Sequence, residues 1–208
     1  GRLITPGTLI AVFLATSDEA LPILISHPEA MPDLLLLLGV KFVSGTIFGL
    51  LTDLLWKRFP HKENQAPFHD LCRDCDCEHH GIFHSALVHT GRIALFLLIV
   101  NLVLGGAIYL VGEDRISQVL LSGSMFQPLL AALIGFIPNC ASSVILTELY
   151  LSGSLSFGAV VAGLCTGAGV GLAVLFKSNR HLKENLTLTA VLYAAAAITG
   201  LICGVLAG

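Results

Sequence analysis

Asp18 and Glu19 are adjacent carboxylates within Ala15-Thr16-Ser17-Asp18-Glu19-Ala20-Leu21-Pro22, a polar island in an apolar stretch. An unpaired acid at membrane depth costs about 3 kcal/mol on insertion scales, so the pair requires a compensating partner or a function. Successive helical residues point about 100° apart, and intact helix would send the two acids to different faces. Unwound chain can instead turn both inward, together with the carbonyls of Ala15 and Thr16. Carboxylate, hydroxyl and carbonyl oxygens suit a hard cation or a proton relay. The plainer alternative is that Ser17 and Asp18 cap the half-helix that follows, since both are favoured N-cap residues.

A second island, Ile137-Pro138-Asn139-Cys140-Ala141-Ser142-Ser143, interrupts another apolar stretch. Pro138 removes a backbone donor and clashes with the preceding turn. Asn139, Ser142 and Ser143 are then placed to satisfy the freed backbone groups or a ligand. Cys140 favours a softer metal or a thiophilic oxyanion, although a cysteine is often only a small buried side chain. The candidate substrate-binding set is therefore Thr16, Ser17, Asp18 and Glu19 with Pro138, Asn139, Cys140, Ser142 and Ser143. Lys41, in the next apolar run, either snorkels to a surface or serves as counter-ion to Asp18 or Glu19.

A third cluster is polar throughout: Cys72, Cys75, Cys77, His79, His80 and His84, with His89 beyond. Thiols and imidazoles this close suit a tetrahedral Zn(II)-class ion, and Cys with His favours Zn, Cd or Cu(I) over Mg or Ca. Disulfide pairing is the rival, but three cysteines leave one over. Outside the membrane core, such a loop would regulate or deliver metal, and its spacing matches no standard zinc finger.

These islands must be positioned by membrane helices. Hydrophobic residues make up 55% of the chain and charged residues 12%, against about one quarter charged in soluble domains. The mean hydropathy is +0.85. An all-α integral membrane protein follows, and nothing in its charge points to nucleic acid. Four runs have the length of ordinary spans: Met31 to Trp56, Ile93 to Val111, Leu155 to Phe176 and Leu186 to Ala207. Two more, Ile4 to Ser26 and Pro128 to Leu151, are cut by the first two islands. Gly45 and Gly49, Gly163 and Gly167, and Gly200 and Gly204 are each four apart, a spacing that brings helix backbones together in lipid.

Both islands are followed by an apolar, Gly-rich span and then by a basic stretch, Leu55 to Asn64 in one case and Leu175 to Asn185 in the other. An internal duplication is expected, with residues 1–112 as the first repeat (57–92 being the inserted Cys/His-rich loop), 113–125 as an interfacial connector and 126–208 as the second. Paired helix breaks in two repeats point to a transport site near the bilayer midplane. If the broken segments cross, the two basic loops fall on opposite sides. If both re-enter as hairpins, the loops share a side, as the positive-inside rule prefers, and the reading leans to hairpins.

The two islands and the Cys/His-rich loop together resemble the ten-transmembrane heavy-metal exporters, a permease family also labelled as arsenic efflux or manganese transport proteins. The resemblance runs over nearly the whole chain. It implies a multi-pass inner-membrane permease for a metal cation or metalloid, with about four further spans upstream, which fits the abrupt apolar start after Gly1. No phosphate-binding loop motif occurs in the sequence, so secondary, gradient-driven export is expected rather than enzymatic chemistry. The competing expectation is a metal-sensing protein or metal-dependent enzyme built on the Cys/His-rich loop. Expected partners are the metal or metalloid, the lipid bilayer and, for assembly as a homo-oligomer, further copies of the chain.

Overall fold

The computed structural model describes residues 5–16, 20–58, 126–137, 140–168, 170–178 and 182–207, with isolated helical positions between 87 and 106. Among these residues every regular element is helical and no strand occurs, as the composition requires. The expected span Ile93 to Val111 contributes only isolated positions, and the connector 113–125 and the Cys/His-rich loop lie outside the described residues.

The first described element is α1 (Pro6–Ala15), capped by Thr5, whose hydroxyl accepts from the Thr8 N–H at 3.1 Å. Pro6 takes the first helical position, where a missing N–H is harmless. After the first island come α2 (Ala20–Ile25), a single 3-10 turn (Pro28–Ala30) and α3 (Met31–Arg58). At 28 residues α3 is about 42 Å long, more than the hydrocarbon core requires.

Small residues fix how α1 lies on α3. A Cβ on Gly49 would stand 2.9 Å from the Ala11 Cβ, one on Gly45 3.1 Å from the Ala11 carbonyl, and one on Gly7 2.5 Å from Asp53 Cγ. This is the backbone approach that the Gly45 and Gly49 spacing implies. Asp53 reads in the sequence as an interfacial charge, but the fold gives it a definite task. Its Oδ1 accepts from the Gly7 N–H at 2.8 Å and its Oδ2 from the Thr5 hydroxyl at 2.7 Å, which neutralises the positive end of α1. Asp53→Ala is therefore expected to lower stability by about 1.5–3 kcal/mol, the range for hydrogen bonds to a charged group. Thermal unfolding of the detergent-solubilised protein checks this, and an unchanged midpoint would contradict it.

These contacts also set the path of the first broken segment. Thr5 is level with Asp53 and Ala11 with Gly45 and Gly49, while Thr16 reaches Lys41. From there α2 hands over to the start of α3 through Ser26 and His27. Thus α1 and α2 run in one direction, antiparallel to α3, and the segment passes through rather than returning.

The second broken segment behaves differently. It comprises α4 (Gln127–Gly135) and α5 (Cys140–Leu151), followed by α6 (Phe157–Thr166). Gln127 at the start of α4 donates to the Ser154 carbonyl at 3.3 Å and accepts from the Ser156 N–H at 3.2 Å, both just beyond the end of α5. Entry and exit therefore share a side, and α4 and α5 form a re-entrant hairpin. With 12 residues, about 18 Å, α5 reaches mid-membrane depth only. The lean to two hairpins holds for the second segment and fails for the first, because small-residue packing runs α1 along α3. The two broken segments thus follow different paths.

Leu155 to Phe176 reads in the sequence as one ordinary span; Phe157–Phe176 is long and apolar enough to cross, but its helix is interrupted. Helix α6 stops at Thr166 and α7 (Val170–Ser178) resumes after Gly167 and Ala168. Gly167 takes φ −65°, ψ 55°, and the Ala168 N–H turns back to the Thr166 carbonyl at 2.6 Å. Hydropathy does not mark this break, since Gly-Ala-Gly is apolar yet poor at holding a helix. The last element, α8 (Leu182–Ala207), is a single 26-residue helix. It packs on α6 through glycine, with a Cβ on Gly200 standing 2.5 Å from the Ala162 Cβ.

Among the described residues, four helical stretches have the length and composition to cross a membrane: Pro6–Ile25, Pro28–Trp56, Phe157–Phe176 and Leu182–Leu206. Ile10, Leu14, Leu24, Leu37, Leu146, Val161, Leu164 and Leu192 form one continuous core between them. The outer face of α3 carries exposed Phe42, Ile47, Leu50 and Leu54, a surface that lipid, not water, would solvate. The Tyr150 hydroxyl donates to Asp33 Oδ2 at 2.7 Å, which sets the start of α3 level with the end of α5. It follows that α3 and α7 both end on the opposite side. The two basic stretches thus depart from one face, as the positive-inside rule favours.

Candidate functional site

Lys41 sits on α3 and is only 1% exposed. Its ammonium donates to the Thr16 carbonyl and, at 2.8 Å, to the Leu164 carbonyl. Snorkelling is thereby overturned: burial against α1 and α6 leaves the side chain directed inward. Both acceptors stand at helix C-termini, Thr16 as the C-cap of α1 and Leu164 in the last turn of α6. Such carbonyls lack ordinary helical partners and carry the negative end of the helix dipole, which offsets the cost of burying the charge. The Thr16 hydroxyl donates back to the Phe13 carbonyl at 2.8 Å, so it is the carbonyl of Thr16 that faces the cation.

The second break closes on itself through Ser142, which is buried and donates to the Ile137 carbonyl at 3.2 Å across the interruption. Cys140 opens α5 and is exposed, with its thiol free. Buried Ser143 adjoins the third break, its hydroxyl 3.7 Å from where a Cβ on Gly167 would stand. Three residues along the chain, Leu164 holds Lys41. The end of α6 therefore brings together Thr16, Ser143 and Gly167, the described edges of the three interruptions. Helices α2 and α5, which follow the first and second breaks, pack against each other, and the Phe13 ring lies over Gly171 of α7, 3.1 Å from where its Cβ would be.

Of the expected substrate-binding residues, Thr16, Cys140, Ser142 and Ser143 are described and stand around this junction. Ser17, Asp18, Glu19, Pro138 and Asn139 lie outside the described residues, as do Cys72, Cys75, Cys77, His79, His80 and His84. Among the described residues no group of three or more His, Cys, Asp or Glu side chains could hold a metal ion.

Three further side chains belong to the junction and escape a reading based on polar islands. Cys165 is fully buried, near Lys41 and Ser44. Ser44, one turn after Lys41, donates to the Lys41 carbonyl at 3.2 Å. Thr166 donates to the Ala132 carbonyl at 2.7 Å, tying α6 to the re-entrant hairpin. The available signal was the run Cys165-Thr166-Gly167-Ala168-Gly169, in which polar side chains precede two glycines.

Residues 107–207 match the sequence family described as "Putative, 10TM heavy-metal exporter". The match takes in the re-entrant hairpin, the third break and α8. No curated protein and no solved structure matches the chain.

Proposed function

We propose that this protein is a secondary transporter exporting a heavy-metal cation or metalloid, with its substrate site between the first and second helix breaks, a reading supported by the match of residues 107–207 to the heavy-metal exporter family. The observation that carries the reading is the buried Lys41 ammonium joined to Thr16 and Leu164, with Ser143 beside Gly167. The edges of the three helix interruptions meet there, among described residues that include four stretches long and apolar enough to cross a membrane. Irregular backbone survives at membrane depth where it lines a protein-walled or water-filled cavity.

In this reading Thr16, Ser17, Asp18 and Glu19 contribute hard oxygen ligands. Pro138 opens the second break, where Asn139, Cys140, Ser142 and Ser143 contribute amide, thiol and hydroxyl groups. The two halves, 1–112 and 126–208, would shift against each other at the breaks, exposing the site to each side in turn. The face from which both basic stretches depart would be cytoplasmic in the inner membrane. A panel of metal tolerances in cells lacking, and then overproducing, the full-length protein tests this. Tolerance to the substrate metal is expected to fall and then rise, and indifference to every metal and metalloid would contradict it.

The Cys/His-rich loop is proposed to bind one Zn(II)-class ion through Cys72, Cys75 and Cys77 with His79, His80 or His84, in a regulatory or metal-delivering role. Thiols must lose their protons to ligate, so affinity of a peptide spanning Leu71 to Thr90 should rise with pH and binding should release protons. Calorimetry in buffers of different ionisation enthalpy measures this, and metal uptake without proton release would oppose it.

A further inference from the structure

We propose that the Lys41 ammonium stands in for a monovalent cation at a site built from the C-terminal carbonyls of α1 and α6, making the junction of the two halves independent of any free alkali ion. The partners of the ammonium named above are main-chain oxygens contributed by segments far apart in sequence, Thr16 and Leu164. Each ends a helix. The Leu164 carbonyl would ordinarily accept from the Ala168 N–H, but that donor bonds Thr166 instead. Two negative helix ends converging in a buried place repel each other and need a positive charge between them. Half-helix C-termini and unwound carbonyls are the groups by which broken-helix transporters hold a sodium ion or a proton. Here α3 supplies that charge covalently, on a side chain 1% exposed. Ser44 secures the Lys41 main chain, and Cys165 packs beside its side chain.

The consequence for flux rests on the transport reading, whereas the cation site itself does not. Lys41→Ala removes a propylammonium group and leaves its space, so propylammonium, Na⁺ or K⁺ should bind there. Lys41→Met fills the space without charge. With full-length purified protein, the melting temperature of Lys41→Ala should rise saturably with propylammonium or an alkali ion, as for any ligand that binds only the folded state. Wild type and Lys41→Met should not respond. In proteoliposomes Lys41→Ala should lose most of its metal flux in a medium whose only cation is bulky, and regain it with the cation that raised its melting temperature. Should Lys41→Ala fold only when propylammonium is present during extraction, that also supports the site. A melting temperature indifferent to all three cations, or aggregation whatever the cation, overturns it. Absence of metal flux in wild type would sink the transport reading while leaving the melting response to decide the site.

Discussion

Asp18→Asn and Glu19→Gln are each expected to lower metal export by roughly 10- to 100-fold, the equivalent of about 1.5–3 kcal/mol per lost charged interaction, while leaving the protein in the membrane. Neutralising an intramembrane acid lowers part of its insertion cost, so loss of flux could not be assigned to a failure to insert. The location of Lys41 sharpens the expectation. Its ammonium reaches the carbonyl of Thr16, two residues before Asp18 in the chain, so the first break has a fixed positive charge at its edge. Asp18 is expected to show the larger effect, since Glu19 is the acid that could serve Lys41 as counter-ion. Flux into sealed vesicles, normalised to membrane abundance, measures this. Wild-type rates in both variants would remove the carboxylates from the site.

A large effect on stability is expected at Gly135, and a smaller one at Gly163, where α4 meets α6. A Cβ on Gly135 would run into the Gly163 carbonyl and the Thr166 hydroxyl, and one on Gly163 would come within 2.5 Å of Leu146 Cδ1 and 3.0 Å of the Ala131 carbonyl. Main-chain carbonyls cannot swing aside as a flexible side chain can. Gly135→Ala should cost about 3 kcal/mol or more, at the upper end of overpacking penalties, and Gly163→Ala about 1–3 kcal/mol because the Leu146 methyl can shift; both should loosen the re-entrant hairpin. Gly39 is the control. Nothing lies within 4 Å of its Cβ position on α3, so Gly39→Ala should be neutral or stabilise by about 0.5–1 kcal/mol through helix propensity. Unfolding of the three variants in mixed detergent would show opposite signs if helix packing in this protein depends on these glycines, and equal effects would refute that.

Much of the architecture was legible in the sequence because the bilayer imposes a length. Met31 to Trp56 and Leu186 to Ala207 stand out as apolar runs and recur as α3 and α8, the latter beginning four residues earlier at Leu182. The first two breaks were legible because Asp, Glu, Pro and Asn are expensive or disruptive inside an apolar helix. The third was hidden because Gly167 and Ala168 break a helix without any change in polarity. Direction was hidden as well. Whether a broken segment passes through or turns back depends on where its ends are tied, at Asp53 for α1 and at Gln127 for α4, and such long-range hydrogen bonds leave no local pattern. Lys41 was visible as an isolated charge, but Thr16 and Leu164 accept from it through backbone carbonyls, which every residue carries. Ser44 and Cys165 became part of the site only once the fold had brought α3 against α6.

The most direct test of the account is metal flux by the full-length protein in sealed proteoliposomes, with Mn(II), Zn(II), Cd(II) and arsenite offered in turn under an imposed ion gradient and without ATP. The account predicts gradient-dependent movement of at least one of these, strongly reduced by Asp18→Asn. Wild-type vesicles that move none of them, or that move one equally well with Asp18→Asn and Glu19→Gln combined, would contradict a transport site at the helix breaks.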